Sequence, residues 1–345
     1  MEVRLAFVGF GNVARAFARM LESRRSLFES QNSIQFRTTG IATARHGSIV
    51  ASEIDLIEAV DLVEGGKSLA AMRGASDCSD SLGLIERCDA DLIFETSPLN
   101  PSDGEPAVTH VRRALERRIN VVTANKGPVA FAYRDLAELA KRHGVQFRFE
   151  GTVMDGAPVF NLVERCLPGV RVTGFSGVLN STTNLVLTRM EEGSSFDEAL
   201  TEARALGVTE ADSDYDIDGW DAAVKTVALA NVLMNADARP ANVQRRGIRE
   251  TTAEAVQAAA ESGLAVRLVS RASIRNSGLK LTVAPERVSL ISPMGAARGT
   301  SNVLVLNTDL MGDIAIFETD PGVEQTAYAL MSDMMMICGS GTKRT

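Results

Sequence analysis

The sequence predicts a two-domain α/β protein, in which a doubly wound parallel sheet is followed by an α+β domain. Short apolar runs alternate with helical stretches over the first ~150 residues. At Glu150 this alternation gives way to a glycine-rich stretch, and two runs within Gly263–Val288 have the pattern of antiparallel strands. We therefore expect one domain over residues 1–149, completed by a C-terminal helix in 319–345, and a second domain over 150–318.

Composition favours a metabolic enzyme or a binding protein over several other classes. The net charge of -8 disfavours a surface for nucleic acid or anionic membranes. No apolar run reaches the length of about 18 residues that spans a bilayer, and the N-terminus lacks the pattern of a signal peptide. The four cysteines are too widely spaced to indicate a disulfide framework or a thiolate zinc site. We expect a cytoplasmic protein.

The first strand and helix frame a glycine motif. The apolar run Val3–Val8 leads into a G-x-G-x-x-A pattern at Gly9, Gly11 and Ala14, and a helix is predicted over Val13–Leu21. In a Rossmann-type fold the first glycine permits a tight turn, the second lets a pyrophosphate approach the backbone, and a small third residue allows close packing. This context predicts dinucleotide binding, although a tight strand–helix turn without a ligand is the alternative.

The second predicted strand, Ile34–Thr43, bears on the choice between NAD and NADP. An NAD site usually ends this strand with an acid that holds the ribose diol. Here no acid occurs between Gln31 and Ser52, and Arg45 follows the strand. Arg45 in that place would hold a 2′-phosphate, so NADP is favoured; a solvated Arg45 is the equally open alternative.

Further elements of the first domain place a lysine at the same sheet edge. Lys126 follows a strand and precedes a helix, where doubly wound folds bind ligands, so it would contact an anion or a reacting oxygen; a surface loop lysine is the alternative. The predicted elements are the helices Ser68–Arg73, Ala107–Arg118 and Tyr133–His143 and the strands Asp91–Glu95, Asn120–Ala124 and Val145–Phe149.

The second domain begins with a possible cation site. Backbone carbonyls of the stretch EGTVMDGAPVF, with Glu150 and Asp155 nearby, are suited to a hard cation, and an ordinary inter-domain connection is the alternative. The predicted elements beyond it are the strands Val170–Leu179, Val288–Ile291 and Val303–Leu306 and the helices Leu185–Glu192, Phe196–Leu206, Asp221–Asn235 and Glu324–Met336.

The segment Gly207–Lys225 concentrates acidic residues before a helix. Asp221 and Lys225 are four residues apart, which places them on one helix face, one turn apart. Taken alone, the segment reads more readily as a solvated acidic loop with Asp218 as the helix N-cap and an exposed ion pair. Its acids are Glu210, Asp212, Asp214, Asp216, Asp218 and Asp221.

The three histidines are scattered, so neither a histidine-ligated zinc nor a Ser/His/Asp triad is indicated. A dinucleotide enzyme acting on an alcohol or carbonyl still needs a group that moves a proton. Lys126 and Lys225 are the candidates, because both follow polar turns expected to face the cleft. Asp221 would orient Lys225 or bind a substrate oxygen, and Glu210 would hold a substrate ammonium group.

Several stretches together resemble homoserine dehydrogenase along nearly the whole chain. They are GFGNVARAF, ETSPLNP, TANKGPVA, EGTVMDGAPVF, GVLNSTTN and LGVTEADSDYDIDGWDAAVK, in the order of that family. The resemblance implies interconversion of L-homoserine and L-aspartate 4-semialdehyde with NAD(P), on the route to threonine and methionine. It also implies a homodimer built on the sheet of the second domain.

The resemblance assigns roles to individual residues. Lys225 corresponds to the proton donor and acceptor, Glu210 and Asp221 to substrate ligands, and Lys126 to a contact with substrate and cofactor. The implied cofactor contacts are Gly11, Asn12, Val13, Thr96, Gly207 and Gly322, beside the motif residue Gly9. The implied monovalent cation site (Na⁺ or K⁺) comprises Glu150, Val153, Asp155 and Ala157.

Departures from the family pattern leave a second function open. Ala14 replaces a glycine, Ser181 stands where glycine is common, Asp155 adds a carboxylate, and Asp320–Thr326 (DPGVEQT) lacks the usual small-residue run near Gly322. A related NAD(P)-dependent dehydrogenase of another small amino or hydroxy acid is the alternative. A dinucleotide-binding sensor without catalysis is disfavoured, because the lysines and acids of a catalytic site are present. Within the acidic segment, we expect Asp212, Asp214, Asp216 and Asp218 to be loop, cap and solvated charge.

Overall fold

A computed structural model describes residues 1–209, 213–275 and 278–340. The chain divides into two compact units, Met1–Gly156 together with the segment from Gly322 onward, and Ala157–Pro321. We predicted domain limits at 149/150 and 318/319, whereas the compact units divide at 156/157 and 321/322. The predicted limits stay a prediction. Within the described ranges, no helix is both long and apolar enough to cross a membrane.

The strands of the described residues alternate with helices in the first unit and cluster late in the second. The strands are β1 Glu2–Val8, β2 Gln35–Ala42, β3 Ser48–Ile54, β4 Ser76–Cys78, β5 Leu92–Glu95, β6 Asn120–Thr123, β7 Phe147–Arg148, β8 Val172–Val178, β9 Gln244–Arg245, β10 Leu264–Arg275, β11 Gly278–Ser289, β12 Asn302–Thr308 and β13 Asp313–Glu318.

The helices include several of only one turn. They are α1 Asn12–Ser23, α2 Arg25–Leu27, α3 Leu56–Glu64, α4 Ser81–Arg87, α5 Ala107–Glu116, α6 Lys126–His143, α7 Ser181–Glu191, α8 Phe196–Ala205, α9 Asp214–Ile217, α10 Trp220–Leu233, α11 Ala253–Glu261, α12 Pro293–Ala296 and α13 Val323–Ser340.

The sheet of the first unit has the strand order β4-β3-β2-β1-β5-β6-β7. Strands β2, β1, β5, β6 and β7 pair in parallel, which confirms the expected parallel sheet. Strands β3 and β4 extend it in antiparallel fashion and were not predicted. The reason is local: β2 returns through a short hairpin, so the chain makes no helical crossover at this point.

Helices cover both faces of this sheet, as a doubly wound fold requires. Leu5 and Phe7 of β1 join one apolar core with α1, α3 and α13, whereas Ala6 and Val8 join another with α4, α5 and α6. This alternation follows from the two-residue period of a strand. Met331, Met334 and Met335 of α13 lie in or against the first core, so the C-terminal helix packs onto the sheet of the first unit.

The second unit carries a six-stranded sheet in the order β13-β12-β8-β10-β11-β9. The predicted antiparallel pair is confirmed, because β10 and β11 pair from Leu264–Ser289 to Arg275–Gly278. The fully buried Arg267 of β10 pairs with Glu191 of α7 at 2.5 Å. Since a buried charge is tolerated only when it is paired, this contact fixes α7 against β10.

Three local predictions were wrong for identifiable reasons. The stretch Ser68–Arg73 forms only a 3₁₀ turn at Leu69–Ala71. The separate strand expected at Val288–Ile291 is the end of β11, because Ser292 caps α12 directly after a turn. The helix expected from Leu185 begins at Ser181, because the side chain of Asn180 caps α7. The helix expected over Tyr133–His143 follows a kink at Ala132 within α6, and a further helical segment capped by Asn125 precedes it.

Candidate active site

The turn after β1 has the geometry that the glycine motif predicts. Gly9 has a φ of +89°, a conformation that L-residues avoid. A Cβ on Gly9 would lie 2.6 Å from the carbonyl carbon of Thr96 and from the nitrogen of Ser97. Glycine is therefore required here both by conformation and by space, and the turn lies directly on the residues that follow β5.

The start of α1 is open in the way an anion site requires. Gly11 occupies the N-cap in an extended conformation, and no side chain caps the first turn that Asn12 and Val13 begin. A Cβ on Gly11 would meet no heavy atom of the described residues within 4 Å. Helix N-termini favour negative charge, so these residues fit the pyrophosphate of a dinucleotide.

Hydrogen bonds join the ends of β1, β5 and β6. Thr96 donates its N–H to the carbonyl of Val8 and its hydroxyl to the carbonyl of Gly9, both at 2.8 Å. Asn125, after β6, caps α6 by accepting the N–H of Gly127 at 2.8 Å. Lys126 is therefore the first residue of a helix, half-buried, rather than a residue of a loop. Both Thr96 and Lys126 lie at the carboxyl edge of the parallel sheet.

Arg45 lies in the hairpin between β2 and β3. The Thr43 hydroxyl donates to the carbonyl of Gly47 at 3.0 Å and accepts the N–H of His46 at 2.7 Å, which closes the turn. Arg45 itself is exposed. A second contact, from His46 Nδ1 to the carbonyl of Lys67 at 2.9 Å, ties the hairpin to the loop after α3.

Lys225 of α10 is held in a fixed place in the second unit. Its side chain is 12% exposed, and Nζ donates to the carbonyl of Leu179 at 2.7 Å. Nζ also lies 3.5 Å from Oδ2 of Asp221, one helical turn earlier. An ammonium group has three donor hydrogens, so one remains after these two contacts within the described part of the chain.

A second carboxylate, Asp216, belongs to the same cluster. Asn180 donates one amide group to both carboxylates, to Asp216 at 2.7 Å and to Asp221 at 3.1 Å, and the Thr182 hydroxyl donates to Asp216 at 3.0 Å. Burial and the negative charge of Asp221 raise the pKa of Asp216, against the lowering effect of the hydrogen bonds and of Lys225. The expectation that Asp216 is a solvated loop charge was therefore wrong.

The neighbouring Tyr215 adds a buried hydroxyl that the sequence did not single out. This hydroxyl has no hydrogen-bond partner among the described residues. Burial, and then the charges of Asp221 and Asp216, raise the pKa of Tyr215, so its hydroxyl stays protonated. Nothing in the local pattern separates Asp216 from the other acids of the segment, because its partners Asn180 and Thr182 come from the start of α7.

Two other acids of the segment carry the solvated charge that we expected. Asp214 and Asp218 form ion pairs with Arg249 at 2.7 and 2.9 Å, which suits solvated charge. Asp218 is not the N-cap of α10, however, because Gly219 occupies that position with a φ of +79°. The predicted substrate ligand Glu210, and Asp212 with it, lie outside the described residues.

The remaining expected cofactor contacts are two glycines. Gly207 follows α8 with a φ of +70° and donates its N–H to the carbonyl of Arg204. Gly322 is exposed and immediately precedes α13, where its carbonyl accepts the N–H of Thr326 at 3.2 Å. Gly207 belongs to the second unit and Gly322 to the first.

The expected cation ligands begin in a 3₁₀ turn at Glu150–Thr152. Glu150 is buried, and its N–H donates to Asp333 of α13 at 2.8 Å. Val153 is buried as well, and the carboxylate of Asp155 accepts the hydroxyl of Thr326 at 2.6 Å. Ala157 is the first residue of the second unit. The described residues form no group of three or more acidic, histidine or cysteine side chains suited to a metal, so a cation here would depend on backbone carbonyls.

Known proteins resemble both units. Residues 9–150 match a family model described as the NAD-binding domain of homoserine dehydrogenase, and residues 158–335 match one described as homoserine dehydrogenase. The chain is 34% identical over 345 residues to an NAD(+)-dependent homoserine dehydrogenase of Pseudomonas canavaninivorans, covering 99% of this chain and 98% of the relative. It is 34% identical over 340 residues to the homoserine dehydrogenase of Methanocaldococcus jannaschii, covering 98% and 99%.

Solved structures share the whole fold. The crystal structure of a putative homoserine dehydrogenase from Archaeoglobus fulgidus matches with a TM-score of 0.86 and 34% identity, covering 97% of this chain and 99% of that one. A hyperthermophilic archaeal homoserine dehydrogenase in complex with NADPH matches with a TM-score of 0.83 and 29% identity, covering 99% and 98%. These matches confirm the resemblance inferred from the motifs. The chain therefore belongs to the homoserine dehydrogenase family of NAD(P)-dependent oxidoreductases.

Proposed function

We propose that this chain interconverts L-homoserine and L-aspartate 4-semialdehyde, with Lys225 as the general acid and base. The observation that carries the proposal is the fixed position of Lys225, which is nearly buried and bound to the carbonyl of Leu179 and to Asp221. All three histidines belong to the first unit, so in the second unit we assign proton transfer to Lys225 rather than to a histidine.

Proton transfer at Lys225 needs the amine in alternate protonation states. In the oxidation, a neutral Nζ takes the proton of the substrate hydroxyl; in the reduction, the ammonium returns a proton to the same oxygen. The Leu179 carbonyl accepts an N–H from either state, so Nζ stays in place throughout. A bound nicotinamide supplies the hydride acceptor or donor.

The carboxylates beside Lys225 would bind the amino acid part of the substrate. Homoserine carries an α-ammonium group, and carboxylates are its natural partners. We assign this role to Glu210 and Asp221, and we add Asp216, because one Asn180 amide binds both Asp216 and Asp221. Lys126, in the first turn of α6, would contact the substrate and the cofactor.

For the cofactor, we propose that NADP is preferred over NAD. The support is the exposed Arg45 in the β2–β3 hairpin and the lack of an acidic residue between Gln31 and Ser52. An arginine suits a 2′-phosphate, whereas an acid at this position would bind the ribose diol of NAD. Since the Pseudomonas relative is NAD(+)-dependent, and the hyperthermophilic archaeal structure contains NADPH, this family uses both cofactors.

Three further properties belong to the same proposal. The carbonyls at Glu150, Val153, Asp155 and Ala157 would hold a monovalent cation. The chain would act in the cytoplasm, on the route to threonine and methionine. It would form a homodimer through the sheet of the second unit, where Ile274 is 63% exposed.

The test is turnover of L-homoserine with NADP and with NAD, run beside L-serine, L-threonine and L-malate. We expect homoserine to be the best substrate and NADP the better cofactor. Turnover of another hydroxy acid at a higher kcat/KM would instead favour a related dehydrogenase. A tenfold higher kcat/KM with NAD would contradict the preference assigned to Arg45.

A lysine variant tests the mechanism in the same assay. Lys225→Ala should lower kcat by at least about 100-fold, since general acid–base catalysis contributes at least that factor, and should leave NADP affinity unchanged. Lys280→Ala, an exposed lysine of β11, is the matched control and should keep full activity. A Lys225→Ala enzyme with kcat within about threefold of the parent would refute the acid–base role.

A further inference from the structure

The carboxylate of Glu95 is buried at the sheet edge that binds the cofactor, yet it has no part in the chemistry above. Glu95 is the last residue of β5 and is only 1% exposed. The hydroxyl of Thr123, at the end of β6, lies 2.9 Å from the backbone carbonyl oxygen of Glu95 and 3.0 Å from its Oε2, so it donates to Glu95. Its Oε1 accepts the N–H and the hydroxyl of Ser97 and lies 3.5 Å from Nδ1 of the buried His110. Such a costly group persists only where it is fully hydrogen-bonded.

From Glu95 the hydrogen bonds lead to the helix that carries Lys126. The Thr123 hydroxyl, which donates to Glu95, accepts the N–H of Asn125 at 3.0 Å. Asn125 in turn donates its amide to the carbonyl of Ser97 at 2.8 Å and caps α6. The first turn of α6 is therefore held to the ends of β5 and β6 through Glu95 and its partners.

From Glu95 the hydrogen bonds also lead to the glycine turn. Thr96 and Ser97 lie directly against Gly9, where a Cβ would approach their backbone to 2.6 Å. The Thr96 hydroxyl donates to the Gly9 carbonyl, and the Glu95 carboxylate fixes Ser97 by two contacts on the other side. A shift of Ser97 would thus move the turn that faces the pyrophosphate.

We propose that Glu95 is a positioning residue, which holds the glycine turn and the start of α6 in one arrangement through Ser97 and Thr123. It touches neither substrate nor cofactor; it acts through Thr96, Asn125 and Lys126. The inference rests on the proposed function only for the role of Lys126. Its effect on cofactor binding follows from membership of the NAD(P)-dependent family alone.

Thr123 offers a clean test, because Thr123→Val removes the bridging hydroxyl but keeps the shape of a buried strand residue. We expect the Kd for NADPH or NADH, measured by cofactor fluorescence in titrations of both, to rise at least fivefold. The kcat should fall as well, because α6 loses its anchor. Thr123→Ser, which restores the hydroxyl, should return the Kd to within twofold of the parent.

Thr39→Val is the matched control for a merely structural effect. Thr39 is also a buried threonine of this sheet, and its hydroxyl donates to the carbonyls of Asp89 and Leu5, away from the Glu95 contacts. Thr39→Val should lower the melting temperature without changing the Kd.

If Thr123→Val fails to fold, Glu95→Gln replaces it, with the same expected rise in Kd. A Kd within twofold of the parent in the folded variant would overturn the proposal, and because the titration contains no homoserine, this outcome is independent of substrate identity.

Discussion

At the scale of single residues, the second unit places two carboxylates around one amide. The side-chain amide nitrogen of Asn180 donates to Asp216 and Asp221. Its side-chain oxygen Oδ1 accepts the N–H of Thr183 and so caps α7. Like charges this close disfavour double ionisation, which agrees with the raised pKa of Asp216. In the function proposed above, the ammonium group of the substrate would reduce this repulsion.

The raised pKa of Asp216 makes a prediction about stability. A carboxyl group whose pKa is raised by folding binds its proton more tightly in the folded state than in the unfolded state. Its contribution to stability is therefore present at low pH and is lost as the pH rises through the folded-state pKa. Asp216→Asn cannot ionise, so the free energy of unfolding of this variant, relative to the parent, should increase from pH 4.5 to pH 7.5.

Urea unfolding at the two pH values measures this difference. Asp214→Asn is the control, because the Asp214 side chain is 70% exposed and is paired with Arg249 at the surface. It should show no comparable increase. A relative stability of Asp216→Asn that falls with pH would mean that hydrogen bonds, rather than burial and Asp221, dominate at Asp216.

At the scale of elements, the turn between β1 and α1 contains one glycine that the backbone requires and one that we propose binds the cofactor. Gly9 is strained for any other residue and has no room for a Cβ, whereas Gly11 is extended and faces open space. Gly9→Ala should therefore lower the free energy of unfolding by at least about 2 kcal/mol. Gly11→Ala should cost less than about 1 kcal/mol but should raise the Kd for the cofactor at least tenfold.

Thermal unfolding and cofactor titration of the two variants provide the comparison. Equal losses of stability, or an unchanged Kd in Gly11→Ala, would contradict the assignment of the open space before α1 to the pyrophosphate. The parent protein, measured with and without cofactor, is the reference for both variants. Cofactor at 100 times its Kd should stabilise the parent by about 2.7 kcal/mol.

Elements were predictable where the local pattern was strong. The parallel strands β1, β2, β5, β6 and β7, and the β10–β11 pair, follow from apolar runs and alternation. Strands β3 and β4 were missed because a helix was expected between parallel strands, and nothing local showed that the hairpin at Arg45 replaces it. The early start of α7 and the helical segment of α6 that precedes the kink at Ala132 depend on asparagine caps that a count of apolar residues does not detect.

At the scale of the whole molecule, the proposed homodimer makes a prediction about mass. Ile274 of β10 lies opposite Leu279 of β11, and both apolar side chains are exposed, at 63% and 38%. A dimer interface on this sheet would cover these two adjoining apolar side chains. Ile274→Asp should therefore shift the sedimentation-equilibrium mass from twice 36.9 kDa toward a single chain.

The control for this experiment is an exposed isoleucine of the first unit. Ile57 of α3 is 40% exposed, and Ile57→Asp should leave the mass at that of the dimer. A parent protein that sediments at 36.9 kDa at micromolar concentration would refute the dimer directly.

The sequence by itself determined the family, the parallel sheet with its glycine turn, and the pair Asp221–Lys225, because each depends on neighbours in the chain. Helical spacing alone puts that pair on one face, and the structure places Lys225 Nζ 3.5 Å from Asp221. Only the tertiary structure decided that Asp216 joins this pair and that Glu95 connects three strand ends. Both depend on partners brought from distant positions, Asn180 and Thr182 for Asp216 and Thr123 and His110 for Glu95, and burial by distant partners leaves no mark in the local sequence.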